Sequence, residues 1–152
     1  MPIISELKYR KPFKARVDLD QRLAEIVMVI AAIRTLEIHA VTKREMIDRA
    51  LWLVAELSGN FSPRYRSDSA LRMLGAKIQR DHVFPRSTLI ALILEGKEPL
   101  RDIIDRAVCC LVTVEEHSRL SIAPPEVIGW ERYRFADVII RDMSTHKYID
   151  EA

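Results

Sequence analysis

The sequence predicts an α+β domain that is predominantly helical. Two observations carry this: a long apolar-periodic segment followed by a capping box near the N-terminus, and a short, wholly apolar stretch at 108–112. A third is the pair of segments Arg80-Asp81-His82-Val83-Phe84-Pro85 and Val112-Thr113-Val114-Glu115-Glu116-His117. Each reads as the end of a strand carrying an acid and an imidazole together. The expected architecture is an N-terminal helical hairpin packed with a sheet of two to three strands, all in a single domain, 1–152, with a basic arm at about 1–17.

The first helix runs from about 18 to 39. Asp18 or Asp20 can cap it, and Leu23, Ile26, Val27, Ile30, Ile33 and Ile38 repeat at helical spacing. Met28, Val29, Ala31 and Ala32 make its middle apolar all round, the signature of a central helix. Thr42 and Glu45 have capping-box spacing and open a second helix to about Leu57. Residues 60–66 read as a loop, and Ser67-Asp68-Ser69 starts a short helix through Leu74. A strand at 76–84 ends before Pro85, which excludes helical angles at the preceding residue. Ser87 caps a helix closed by Gly96, and Pro99 opens another to about Ala107. Val108-Cys109-Cys110-Leu111-Val112 is a buried strand, after which Thr113 and Glu116 form a second capping box. A helical stretch at 130–137 and a third strand at 138–140 complete the pattern.

Composition narrows the functional classes. No apolar run approaches the roughly 20 residues of a membrane-spanning helix, and Met1 to Glu6 lack a signal-peptide pattern, so the expectation is a cytoplasmic protein without membrane contact. The only cysteines, Cys109 and Cys110, are adjacent, which suits buried free thiols rather than a disulfide or a CxxC metal site. Charge is uneven: residues 1–86 carry 16 Lys/Arg against 10 Asp/Glu, whereas 87–152 carry 8 against 12. The arm places Lys8, Arg10, Lys11, Lys14 and Arg16 among Tyr9 and Phe13, a pattern that could follow phosphates or simply tack a tail onto the domain.

The two acid–imidazole segments suit a divalent metal (Mg, Mn or Zn) or a carboxylate–histidine pair. Asp81, Glu116 and His117 would supply metal ligands, and His82 with Asp81 the acid–base chemistry on a phosphodiester. Arg80, Arg86, Arg132 and Arg134 would hold phosphate. Strand alternation opposes part of this scheme, since consecutive residues point to opposite faces. Structural readings stand beside it. Glu116 can be spent on the Thr113 backbone, Asp81 and His82 can brace the Pro85 turn, and His39 can face a helix C-terminus. Trp130 and Tyr133 can share a core-facing edge or, with Arg132 and Arg134, meet a nucleic acid or a protein partner.

The order of these motifs resembles a family of uncharacterised bacterial and mobile-element proteins with Glu/Asp-His-Val-x-Pro, then Val-Thr-x-Glu-Glu, then Arg-Tyr. The matching residues are Asp81, His82, Val83 and Pro85; Val112, Thr113, Glu115, Glu116 and His117; and Arg132 and Tyr133, across roughly 75–140. The first motif is also similar to the opening strand of HNH nucleases. That similarity implies His82 as general base with Asp81 and His117 on a metal. The only Asn, Asn60, precedes the motif, and Ser121 stands four residues after His117 where a second histidine would fall, departures that suit a degenerate or non-cleaving relative as well as a working nuclease. Together these readings suggest a nucleic-acid-associated protein of a defence or mobile element, with a metal-dependent phosphodiesterase site. The alternative is a non-catalytic protein-binding module or an inhibitor of a nucleic-acid enzyme, with a homodimer through the first helix as a further option.

Overall fold

A computed structural model describes residues 12–57, 63–73 and 75–149. Its elements in chain order are α1 (Leu19–Thr35), α2 (Ala40–Glu56), β1 (Tyr65–Ser67), α3 (Asp68–Arg72), β2 (Ile78–His82) and α4 (Arg86–Glu95). They continue as α5 (Leu100–Ile104), β3 (Cys109–Thr113), α6 (Val114–Ser121), α7 (Trp130–Phe135), β4 (Ile140–Asp142) and β5 (Lys147–Tyr148). The chain divides into two compact units. One comprises Ala15–Leu57 and Phe84–Val108, and the other includes Ser58–Val83 and Cys109–Ala152.

The first unit is helical. Leu23, Ile26, Ile30 and Ile33 of α1 pack with Ile47, Ala50 and Leu51 of α2, Leu89, Ile90 and Ile93 of α4, and Ile103 and Ile104 of α5. The expected hairpin is present, but its second helix is capped three residues early. The Thr42–Glu45 spacing does not mark the end. Instead the His39 Nδ1 accepts the Val41 N–H at 3.2 Å, doing the work of an Asn or Asp cap. His39 therefore caps the helix that follows it rather than facing the end of the one before. Gly96 closes α4 at a φ of 72°, a conformation that costs glycine least. The outer side of α1 is the other departure: Met28 is 71% and Val29 53% exposed, so this apolar-all-round helix is not enclosed.

The second unit holds a five-stranded mixed sheet of order β2-β3-β1-β4-β5, where two to three strands were expected. β1 runs parallel to β3, and every other pairing is antiparallel. The extra strands, β1 and β5, escaped the sequence because they are short. β1 has three residues and β5 two, too few for alternation to show. The strand expected at 138–140 begins at its last residue, Ile140, and runs to Asp142.

Register fixes what shares a face. Asp81 pairs with Cys110, Cys110 with Tyr65, and Tyr65 with Asp142, so these four lie in one row. The adjacent row contains Arg80, Leu111, Arg66 and Arg141 and points to the opposite face. Both cysteines are buried and free, as their adjacency predicts. Burial pushes the Cys110 thiol well above its ordinary range, with the charges of Asp81 and Glu116 adding to the effect. Among the described residues, no helix is long and apolar enough to cross a membrane.

Candidate functional site

The site grows from the end of β2, the start of α6 and the middle of α7, all in the sheet-bearing unit. Thr113, the last residue of β3, caps α6: its hydroxyl accepts the Glu116 N–H at 3.1 Å, while Glu116 Oε2 accepts the Thr113 N–H at 2.9 Å. This is the capping box that the sequence predicts. It anchors α6 directly beyond the strand. The chain then returns through Gly129, at a φ of 66°, into α7, and Arg119 of α6 donates to the carbonyl of Ala136 at 2.9 Å. These contacts set α6 and α7 side by side.

Asp81 is the centre. It is only 4% exposed, and three side chains converge on it. Arg132 Nη2 and the Tyr133 hydroxyl both donate to Oδ2. His117 Nδ1 lies 3.2 Å from Oδ1, within ion-pair reach but without the alignment of a hydrogen bond. Arg132 Nη2 also donates to the His82 carbonyl at 2.7 Å, tying α7 to the end of β2. A buried carboxylate facing a guanidinium and a phenol has its charge compensated where water cannot do so. The Tyr133 hydroxyl is held well above its ordinary pKa, by burial first and then by Cys110 and Asp81. Beyond Tyr133, its ring meets Trp130 at 5.4 Å, and Trp130 meets Tyr65 edge-on at 4.9 Å.

The proposed ligands are only partly gathered. Asp81 and His117 meet. His82 belongs to the opposite face of β2 through strand alternation, in register with Cys109. Glu116 is 2% exposed and spent internally: besides the Thr113 N–H, its Oε2 accepts the Ser67 hydroxyl at 2.6 Å. Ser67 in turn caps α3 by accepting the Ala70 N–H at 3.0 Å. Among the described residues, no group of three or more His, Cys, Asp or Glu side chains is arranged to hold a metal ion. Among the described residues these motifs do not assemble the tetrahedral donor set of a zinc site.

The candidate phosphate-binding residues are dispersed. Lys8, Arg10 and Lys11 lie outside the described residues. Lys14 and Arg16 are exposed, and Arg16 pairs with Asp18 at 2.8 Å. Arg86 pairs with Asp48 at 2.7 Å and stacks 4.5 Å over Trp52. Arg134 pairs with Glu131, and Arg132 serves Asp81. Arg80 is half-buried in the row that also holds Arg66 and Arg141. Sequence reasoning missed the Tyr133–Asp81 contact. The signal available was the aromatic and basic cluster Trp130-Glu131-Arg132-Tyr133-Arg134, with nothing in its spacing to point it at residue 81.

No known protein family matches this chain, and no curated protein or solved structure does either.

Proposed function

We propose that this is a nucleic-acid-associated protein of the defence or mobile-element kind its motifs resemble, with the Asp81–His117 pair as its proton-transfer site on a phosphodiester. One observation supports the reading above others. A buried carboxylate, fixed by Arg132 and Tyr133, presents its remaining oxygen to the Nδ1 of a histidine whose side chain is 32% exposed. Nδ1 itself is buried, so the exposed part of the ring is the part away from Asp81. A carboxylate beside Nδ1 positions the ring, and Nε2 is the nitrogen left to meet a substrate. Contacts of this kind commonly tighten only when a substrate is bound.

The roles differ from those implied by the HNH similarity. His117 replaces His82 as the base, and Asp81 positions it. Fluorescence anisotropy of labelled DNA and RNA at low and moderate salt tests the association, with binding expected to weaken as salt rises. Absence of binding to either nucleic acid at low salt would remove this function.

A second reading has its own support. Met28 and Val29, with Ala24, Ala31 and Ala32, leave the outer side of α1 apolar and exposed, as suits a protein-binding module or a homodimer. Light scattering that gives twice the chain mass, abolished by Met28→Glu, would favour it.

A further inference from the structure

We infer that the substrate class is RNA, cleaved without a metal through its own 2′-hydroxyl. The inference rests on the proton-transfer role given above to Asp81 and His117, and adds the identity of the nucleophile. It follows from how the acids are engaged. Asp81 Oδ2 takes both Arg132 and Tyr133, and Oδ1 faces His117. Glu116 Oε2 takes Ser67 and the Thr113 backbone. Both carboxylates are buried, at 4% and 2% exposure, and their assigned contacts are to groups of the protein itself. What the site offers a phosphodiester is one half-exposed imidazole with a fixed carboxylate behind it.

The chemistry that such a base can perform differs between the two nucleic acids. A DNA strand has no internal nucleophile, so its hydrolysis calls for an activated water, the task for which phosphodiesterases recruit metal ions. An RNA strand carries the nucleophile beside the phosphorus, already held at short range, so removal of one proton is enough to start the reaction. His117 Nε2 takes the proton of the 2′-hydroxyl. The O2′–P bond forms and the P–O5′ bond breaks, giving a 2′,3′-cyclic phosphate. The departing 5′-oxygen takes a proton from solvent, and the imidazolium returns its own to water. No oxidant, reductant or further reactant is consumed. Asp81 is a positioning residue in this scheme, since it touches the ring and not the substrate.

The test incubates the full chain with a labelled RNA, the same sequence in DNA, and the RNA with 2′-O-methyl groups, each in excess EDTA. Cleavage of the unmodified RNA alone is expected, with a 2′,3′-cyclic phosphate end seen by mass spectrometry. His117→Ala and His117→Asn, each checked for folding by circular dichroism, should lower the rate at least a hundredfold, in keeping with loss of a general base. Asp81→Asn should lower kcat while leaving KM for RNA near its original value, a split that a loosened fold would not give. Cleavage that EDTA abolishes, or equal cleavage of DNA or methylated RNA, would overturn the inference. So would RNA binding with no cleavage at all, an outcome that leaves nucleic-acid association intact. Failure to bind either nucleic acid would instead remove the underlying function.

Discussion

The two acid–imidazole segments look alike in sequence and are used in opposite ways. In Asp81-His82 the acid enters the site and the imidazole turns to the other face. In Glu116-His117 the imidazole enters and the acid turns inward to Ser67 and Thr113. The difference lies in the backbone carrying each pair. On β2, adjacent residues point about 180° apart, so one of the two must leave the shared face. On α6, adjacent residues are about 100° apart, so the capping-box acid can be buried while its neighbour stays at the rim. One half from each dipeptide therefore makes a pair, and the two remaining halves serve other ends. A doublet in sequence is not a doublet in space unless the local period allows it.

The largest effect is expected at Asp81. Asp81→Ala strands the Arg132 guanidinium, whose side chain is 14% exposed, with no counter-charge. The loss should be about 3–5 kcal/mol, the range for breaking a buried ion pair from one side. Urea denaturation measures it, and a loss below about 1 kcal/mol would mean Asp81 does not organise the site. Glu116→Ala should cost less, about 2 kcal/mol, because it removes an acceptor from two uncharged donors. Glu116→Gln should cost under about 1 kcal/mol, since one oxygen accepts both bonds and an amide oxygen can replace it. Equal losses in the two Glu116 variants would assign that position a role for its charge.

The smallest effect is a titration. The Tyr133 hydroxyl has its folded pKa raised above the unfolded value of about 10. Its contribution to stability is thus complete below pH ~10 and is lost as pH rises through the folded value. Alkaline titration followed by tyrosinate absorbance should show one phenol ionising late. Asp81→Asn removes a nearby negative charge and should bring that step to lower pH, though burial keeps it above the ordinary range. Glu116→Gln should leave it in place. A late step unmoved by Asp81→Asn would detach Tyr133 from the acid it is placed against.

Much of the fold was legible because its signals are local. The α1 face, the Thr113–Glu116 box, the Gly96 stop and the buried Cys109–Thr113 strand each depend on residues within a turn or a strand of one another. The misread elements also have local causes. Thr42 and Glu45 satisfy the capping-box spacing, yet His39 captures the helix start because its ring nitrogen can accept a backbone N–H. Tyr65–Ser67 read as loop because three residues carry no period, and the strand exists through its pairing with β3 and β4. At the site, sequence named Asp81 and His117 but assigned the base to His82, because adjacency was the only proximity it could measure.

The amino-acid order alone determined roughly where the helices lie, which of their faces are apolar, that both thiols are buried and free, and which two acid–imidazole segments are candidates for chemistry. These follow from periodicity and from hydrogen bonds closed within a few residues. Tertiary structure decided the five-stranded order, the row that sets Asp81 beside Cys110 and Tyr65, and the meeting of Asp81 with His117, Arg132 and Tyr133. Those partners lie 36 to 52 positions along the chain from Asp81, and only the packing of α6 and α7 against the sheet gives a buried carboxylate the donors it needs.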